Sequence, residues 1–139
     1  MDARKYLEQV KKSDVKIHGL KFEIERLEDL SKNLSSKSLE NDRVMSSGNQ
    51  DRVANITARL MDKKDQYAKM IYENEETRET IISQIYSLDD TVSSQILFSI
   101  YIEDKSYNDV ARETNYSYDH VRKLCRKARR DFEKTVMLT

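Results

Sequence analysis

The chain contains no proline and no tryptophan, and only two glycines, two histidines and one cysteine in 139 residues. Each scarcity removes a class of answer. Tight turns between strands need glycine and proline, so a sheet protein is disfavoured and long helices are expected. A lone cysteine, Cys125, cannot form an intrachain disulfide. With only His18 and His120 beside it, no cluster has zinc-ligand spacing. No glycine-rich phosphate loop is present. No apolar run approaches membrane-spanning length and the N-terminus has no signal-peptide core, so a cytoplasmic location is expected. Net charge is missing as well, because 25 basic residues balance 25 acidic ones. A uniformly basic nucleic-acid binder is excluded, but a local basic patch is not.

What remains is rich in charged residues (36%) and apolar ones (37%), a mixture that suits amphipathic helices. The fold class expected is all-α. From about Asp2 to Leu34, Ala3, Val10, Ile17 and Ile24 recur every seven residues, and Tyr6, Leu20, Leu27 and Leu34 fill most alternate positions. This is a coiled-coil-like seam, interrupted by Ser13 and Ser31 and weakened by Gly19. Residues 35–50, SSKSLENDRVMSSGNQ, read as a loop. A second helix is expected from an N-cap at Asp51 to about Tyr86. Its stripe is Val53, Ile56, Leu60, Tyr67, Met70, Ile71, Ile81 and Ile85, diluted by Lys63, Lys64 and Asn74. Two long helices around one loop suggest an antiparallel hairpin over 1–86. Its core would be thin, so a homodimer through these helices or another partner is expected.

Residues 87–139 read as a second, compact domain. Asp89 or Asp90 can cap a helix carrying Val92, Ile96, Leu97, Ile100 and Tyr101. The stretch SYNDVARETNYSYDHVRKLCRKA, 106–128, then has the pattern of a helix-turn-helix. Ser106 caps its first helix, and Tyr107, Val110 and Ala111 face inward. Asn115 tolerates positive φ at the turn. Tyr116 is a candidate plug for the corner, and Ser117 a good N-cap. Val121, Leu124, Cys125 and Ala128 make a narrow inner stripe, with Cys125 a small core residue rather than a reactive thiol. Asp119, Arg122, Lys123, Arg126, Lys127 and Arg130 lie outside.

From Asp119 to Lys134 seven basic residues stand against three acidic ones, a local excess in a neutral chain. A helix of this kind suits the major groove of duplex DNA. The competing reading is a solvated face whose cations complement the helix C-terminus. The register of Ala111, Asn115, Tyr116, Ser117 and Val121 favours DNA. The candidate DNA-binding residues are Ser117, Tyr118, Asp119, His120, Arg122, Lys123, Arg126, Lys127 and Arg130. His120, on the helix flank, is a candidate phosphate contact. No catalytic constellation is found, so no enzyme, cofactor or metal is expected. The acidic pairs are solvated helix faces.

The segment SLDDTVSSQILFSIYIEDKSYNDVARETNYSYDHVRKLCRKA resembles region four of bacterial sigma factors, through Leu88, Ile96, Leu97, Tyr101, Ser106, Val110, Ala111, Tyr116, Ser117, Val121 and Ala128. With DRVMSSGNQDRVANITARLMD, residues 42–62, most of the chain resembles a family of small phage and prophage proteins of Gram-positive bacteria. These pair a coiled-coil-like N-terminal part with a sigma-region-four-like C-terminal part. Departures are Asp104 where glycine often ends a helix, Ile100 where arginine is common, and Asn115 for the usual turn glycine. The resemblance implies transcriptional regulation by DNA binding, with RNA polymerase a further partner, but no promoter melting. It implies that Asp119, Arg122, Lys123 and Arg126 meet bases and phosphates, with Ser117, Tyr118 and Lys127 nearer the backbone. The alternatives are an interaction protein that binds polymerase or a phage protein without reading DNA, and a DNA-packaging recognition subunit.

Overall fold

A computed structural model describes residues 2–40 and 47–138. It is all-helical, with no strand among the described residues. The elements in order are α1 (Ala3–Leu7), α2 (Gln9–Glu40), α3 (Ser47–Tyr86), α4 (Thr91–Leu97), α5 (Tyr107–Thr114) and α6 (Tyr118–Phe132). Short π-helical turns, Phe98–Ile102 and Glu133–Met137, extend α4 and α6. The chain divides into two compact units, 1–14 with 73–139, and 15–72. These units do not follow the 1–86 and 87–139 spans read from the sequence, because the first fourteen residues cluster with the C-terminal helices.

In the unit 15–72 the seven-residue repeat emerges as burial. Leu20, Ile24 and Ile56 are buried, and Ile17, Leu27, Leu34, Val53, Leu60, Tyr67 and Met70 are half-buried. Lys63, which dilutes the stripe, turns its ammonium to Glu23 at 2.9 Å, and Lys64 reaches Glu28 at 3.3 Å. Ile71 is a correction: it is 37% exposed, because the seam passes through Tyr67, Met70 and Asn74 and leaves position 71 outside.

The expected loop over 35–50 is also corrected. Residues 35–40 continue α2 and 47–50 begin α3, so Asp51 lies within a helix and is not its N-cap. Serine costs at most about 0.7 kcal/mol relative to alanine in a helix, and no glycine or proline occurs between 35 and 40 to stop it. Residues 41–46 of that segment lie outside the described residues.

The other unit owns the larger core. Ala3, Leu7 and Val10 meet Ile81, Ile85, Leu88, Leu97, Val121, Cys125, Ala128 and Phe132, most of them wholly buried. Leu7, absent from the sequence reading of the seam, is one of its largest fully buried side chains. Polar bonds tie the pieces together. The Ala3 amide donates to Glu133 Oε1 at 3.0 Å, and the Tyr6 hydroxyl donates to Gln84 Oε1 at 2.6 Å. Asn74 is buried and donates to Asp14, which also pairs with Arg78 at 3.0 Å. Unlike Asp51, the caps of the C-terminal helices fall where expected. Asp90 accepts from the Val92 amide, and Ser106 and Asp109 cap α5 reciprocally. Ile100, at a position where the resemblance favours arginine, is buried in this core.

Candidate nucleic-acid interface

The α5–α6 pair is joined by a three-residue turn whose geometry follows from single residues. Asn115 ends α5 in the left-handed region, φ 61° and ψ 20°. That conformation costs most residues about 1–2 kcal/mol, but asparagine adopts it readily. Ser117 then caps α6, its Oγ accepting from the His120 amide at 3.1 Å. Asp104 occupies the same left-handed region, φ 58°, at the earlier turn.

Below the turn, Val110 and Val121 are buried and fill the corner. Tyr116, the expected plug, is therefore a correction. It is 44% exposed, and its ring meets His120 edge-on at 4.7 Å. A surface position leaves the hydroxyl to water.

On α6 the inner stripe is Val121, Cys125, Ala128 and Phe132, all fully buried, with Leu124 half-buried. All nine candidate residues, Ser117, Tyr118, Asp119, His120, Arg122, Lys123, Arg126, Lys127 and Arg130, fall on the exposed side. Their situations differ. Ser117 has its side chain engaged in the cap. Tyr118 packs edge-on against Tyr107 with ring centroids 5.7 Å apart. Lys127 is held by Asp90 at 2.7 Å and Asp131 at 3.6 Å. The Lys127 hydrogen bond holds the Asp90 carboxyl below its ordinary value, and the Asp90 bond in turn raises the Lys127 ammonium. Arg122, Lys123, Arg126 and Arg130 have no ion-pair partner among the described residues. At offsets of four, Arg122, Arg126 and Arg130 form one row along the helix.

Sequence reasoning missed Arg129. It looks like one more cation in a basic helix, yet it turns inward. Its guanidinium donates to the Tyr101 hydroxyl at 3.3 Å, the Tyr107 hydroxyl at 3.5 Å and Cys125 Sγ at 3.3 Å. Burial opposes its charge, but the tyrosine hydrogen bonds outweigh burial and hold it above its ordinary value. Burial also raises Cys125 and Tyr101, so both stay protonated at neutral pH. Arg129 thus braces α6 against α5 and the Phe98–Ile102 turn. The only sequence signal for it was its position one residue after buried Ala128, four beyond Cys125.

Cavities flank the pair. One, about 690 Å³, is bordered by Tyr86, Val92, Phe98, Val110 and Tyr116, and no α6 residue lines it. Another, about 350 Å³, lies where Arg4, Lys11 and Lys105 approach Ser106, Asn108 and Tyr118. No group of three or more potential metal ligands occurs among the described residues, and no described helix is long and apolar enough to cross a membrane. No family model, curated protein or solved structure matches the chain.

Proposed function

We propose that the chain is a transcription regulator of phage or prophage type that binds duplex DNA through α5 and α6 acting as a helix-turn-helix. In this reading α2 and α3 form a coiled-coil-like antiparallel hairpin, used for homodimerisation or for contact with RNA polymerase. The observation that carries the proposal is the row of Arg122, Arg126 and Arg130, with Lys123 beside it, exposed and without a carboxylate partner among the described residues. Lys127, on the same helix, is instead paired with Asp90 and Asp131, as Lys63 and Lys64 on α3 are with Glu23 and Glu28. A helix presenting unneutralised guanidinium groups, on a turn set by a left-handed Asn115, suits phosphates and the guanine edge in a major groove. Asp119, at the N-terminal end, suits the cytosine amino group.

The placements divide the roles. Arg122, Lys123 and Arg126 are proposed to carry base and phosphate contacts, and Arg130 a phosphate. His120 and Tyr118 flank the first turn toward the backbone. Ser117 acts through its cap, and Lys127 must exchange Asp90 for a phosphate to take part.

The experiment is titration of a random-sequence duplex pool, followed by selection of the tightest binders. Replacing Arg122, Lys123 and Arg126 together by alanine should abolish selection. It should also make the salt dependence shallower by about 0.9 in log–log slope for each phosphate no longer neutralised. Unchanged affinity would sink the proposal.

A second reading, the interaction protein without DNA recognition, draws on the 690 Å³ cavity with its exposed Tyr86, Val92 and Tyr116. Salt-insensitive binding to RNA polymerase, with none to DNA at low salt, would favour it.

A further inference from the structure

Aromatic rings and carboxylates meet at the 690 Å³ cavity bordered by the end of α3, by α4 and by α5. The Tyr86 and Phe98 rings stack there, with centroids 5.8 Å apart and planes 17° from parallel. Tyr86 is nevertheless 63% exposed, and Tyr116 and Val92, on the same wall, are 44% and 43% exposed. Apolar surface is thus left in water around one concavity. Its volume lies in the range of about 300–1,000 Å³ that holds small organic ligands.

The polar groups at the wall narrow the ligand. The Ser94 hydroxyl donates to the Ile85 carbonyl at 2.9 Å, and the Thr114 hydroxyl to the Val110 carbonyl at 2.6 Å, so both protons are spent within the fold. The charged groups are Glu103 and Glu113, and no cation among the described residues lines the cavity. Both carboxylates share one ammonium, Lys105, at 3.4 Å and 3.0 Å. Lys105 itself borders the 350 Å³ cleft instead. One cation between two carboxylates leaves a negative charge over.

We propose that this cavity binds an organic ammonium with an aromatic body. The body rests on Tyr86, Phe98 and Tyr116, and the cation faces Glu103 and Glu113. Ring faces and residual carboxylate charge both attract a cation, and each adds to what covering the apolar wall contributes. An anion would meet two carboxylates with no cation at the wall to offset them. The site stands whether or not α6 binds DNA. Tyr116 also meets His120 edge-on at 4.7 Å, so an occupant touches the side chain that leads into α6. The exposed Val15, Phe22, Met61 and Tyr72 carry less, because nothing in the fold says what would cover them.

The test is calorimetric titration of the full chain with naphthylethylammonium, naphthylethanol and naphthylacetate, which separate the ring from the charge. The ammonium should bind about tenfold tighter than the alcohol, and the acetate most weakly. In Glu103→Gln/Glu113→Gln the ammonium should lose most of that advantage while the alcohol keeps its affinity. Glu79→Gln, outside the cavity, should match wild type. A double variant that melts early is replaced by Val92→Lys, which sets an ammonium of the chain's own at the wall. There the ammonium probe should lose more affinity than the alcohol. Equal binding of the three probes, no binding of the ammonium, or a wild-type preference that survives in the variants overturns the proposal. Each of these outcomes would leave the cavity to a protein partner such as RNA polymerase.

Discussion

Asn115 turns the chain between α5 and α6 in one backbone conformation, and a β-branched residue cannot follow it there without strain. Asn115→Val should cost about 1–2 kcal/mol, whereas Asn115→Gly should keep the turn, as denaturant midpoints of the two variants would report. Asp90 gives the same region a pH dependence of defined sign. Its carboxyl is held below the ordinary 3.8 by the Lys127 hydrogen bond, so the ionised form is favoured by folding. Its contribution is therefore complete above about pH 4 and lost as pH falls through the lowered value. Lys127, raised from 10.5, contributes below that value and loses its contribution only in strong alkali. Thermal melts should show stability falling below about pH 4, with Asp90→Asn less stable at neutral pH and flatter on the acid side. Among single residues, Asn115, Ser106, Ser117 and Asp90 were legible in the sequence because each satisfies a local backbone need. Arg129 and Tyr116 were not. Whether a guanidinium points to solvent or to two tyrosines, and whether a ring turns into a corner or out of it, depends on neighbours far along the chain.

At the scale of elements, periodicity was the readable quantity. Positions spaced by three and four from Val10 to Leu34 are the ones withdrawn from water, since a helix shows one face to its neighbour whatever that neighbour is. Boundaries were less legible. Serines, Asn49 and Gly48 suggested a loop over 35–50, but weak helix formers lengthen a helix at small cost when none of them is proline. Gly19 is the same effect in the other direction. It lies within α2 and is exposed, and a Cβ built there meets nothing within 4 Å. Its only consequence is added freedom in the unfolded chain. Gly19→Ala should stabilise the protein by about 0.5–1 kcal/mol, seen as a higher melting temperature. A destabilised variant would mean that position 19 faces a partner in solution.

At the scale of the whole molecule, the division into a hairpin over 1–86 and a DNA-binding domain over 87–139 followed the order of the sequence, and the core does not. Ala3, Leu7 and Val10 complete the apolar cluster around Val121, Cys125 and Phe132, more than a hundred positions away. A seven-residue repeat shows that a helix has a buried face but not which partner covers it, so this pairing could not be read from pattern. It makes a separable C-terminal module unexpected. Without residues 2–14, α6 would expose Phe132, the largest of the fully buried side chains. Leu7→Ala should therefore cost about 2–5 kcal/mol, the range for emptying a buried leucine site. The loss should appear in α6. Amide exchange there should accelerate by the corresponding factor, while exchange in 15–72 stays slow, because stability is apportioned by cooperative unit and not by distance along the chain. Uniform acceleration would instead make the two units one cooperative block. Protection of α6 unaffected by Leu7→Ala would show that the C-terminal helices stand without the start of the chain.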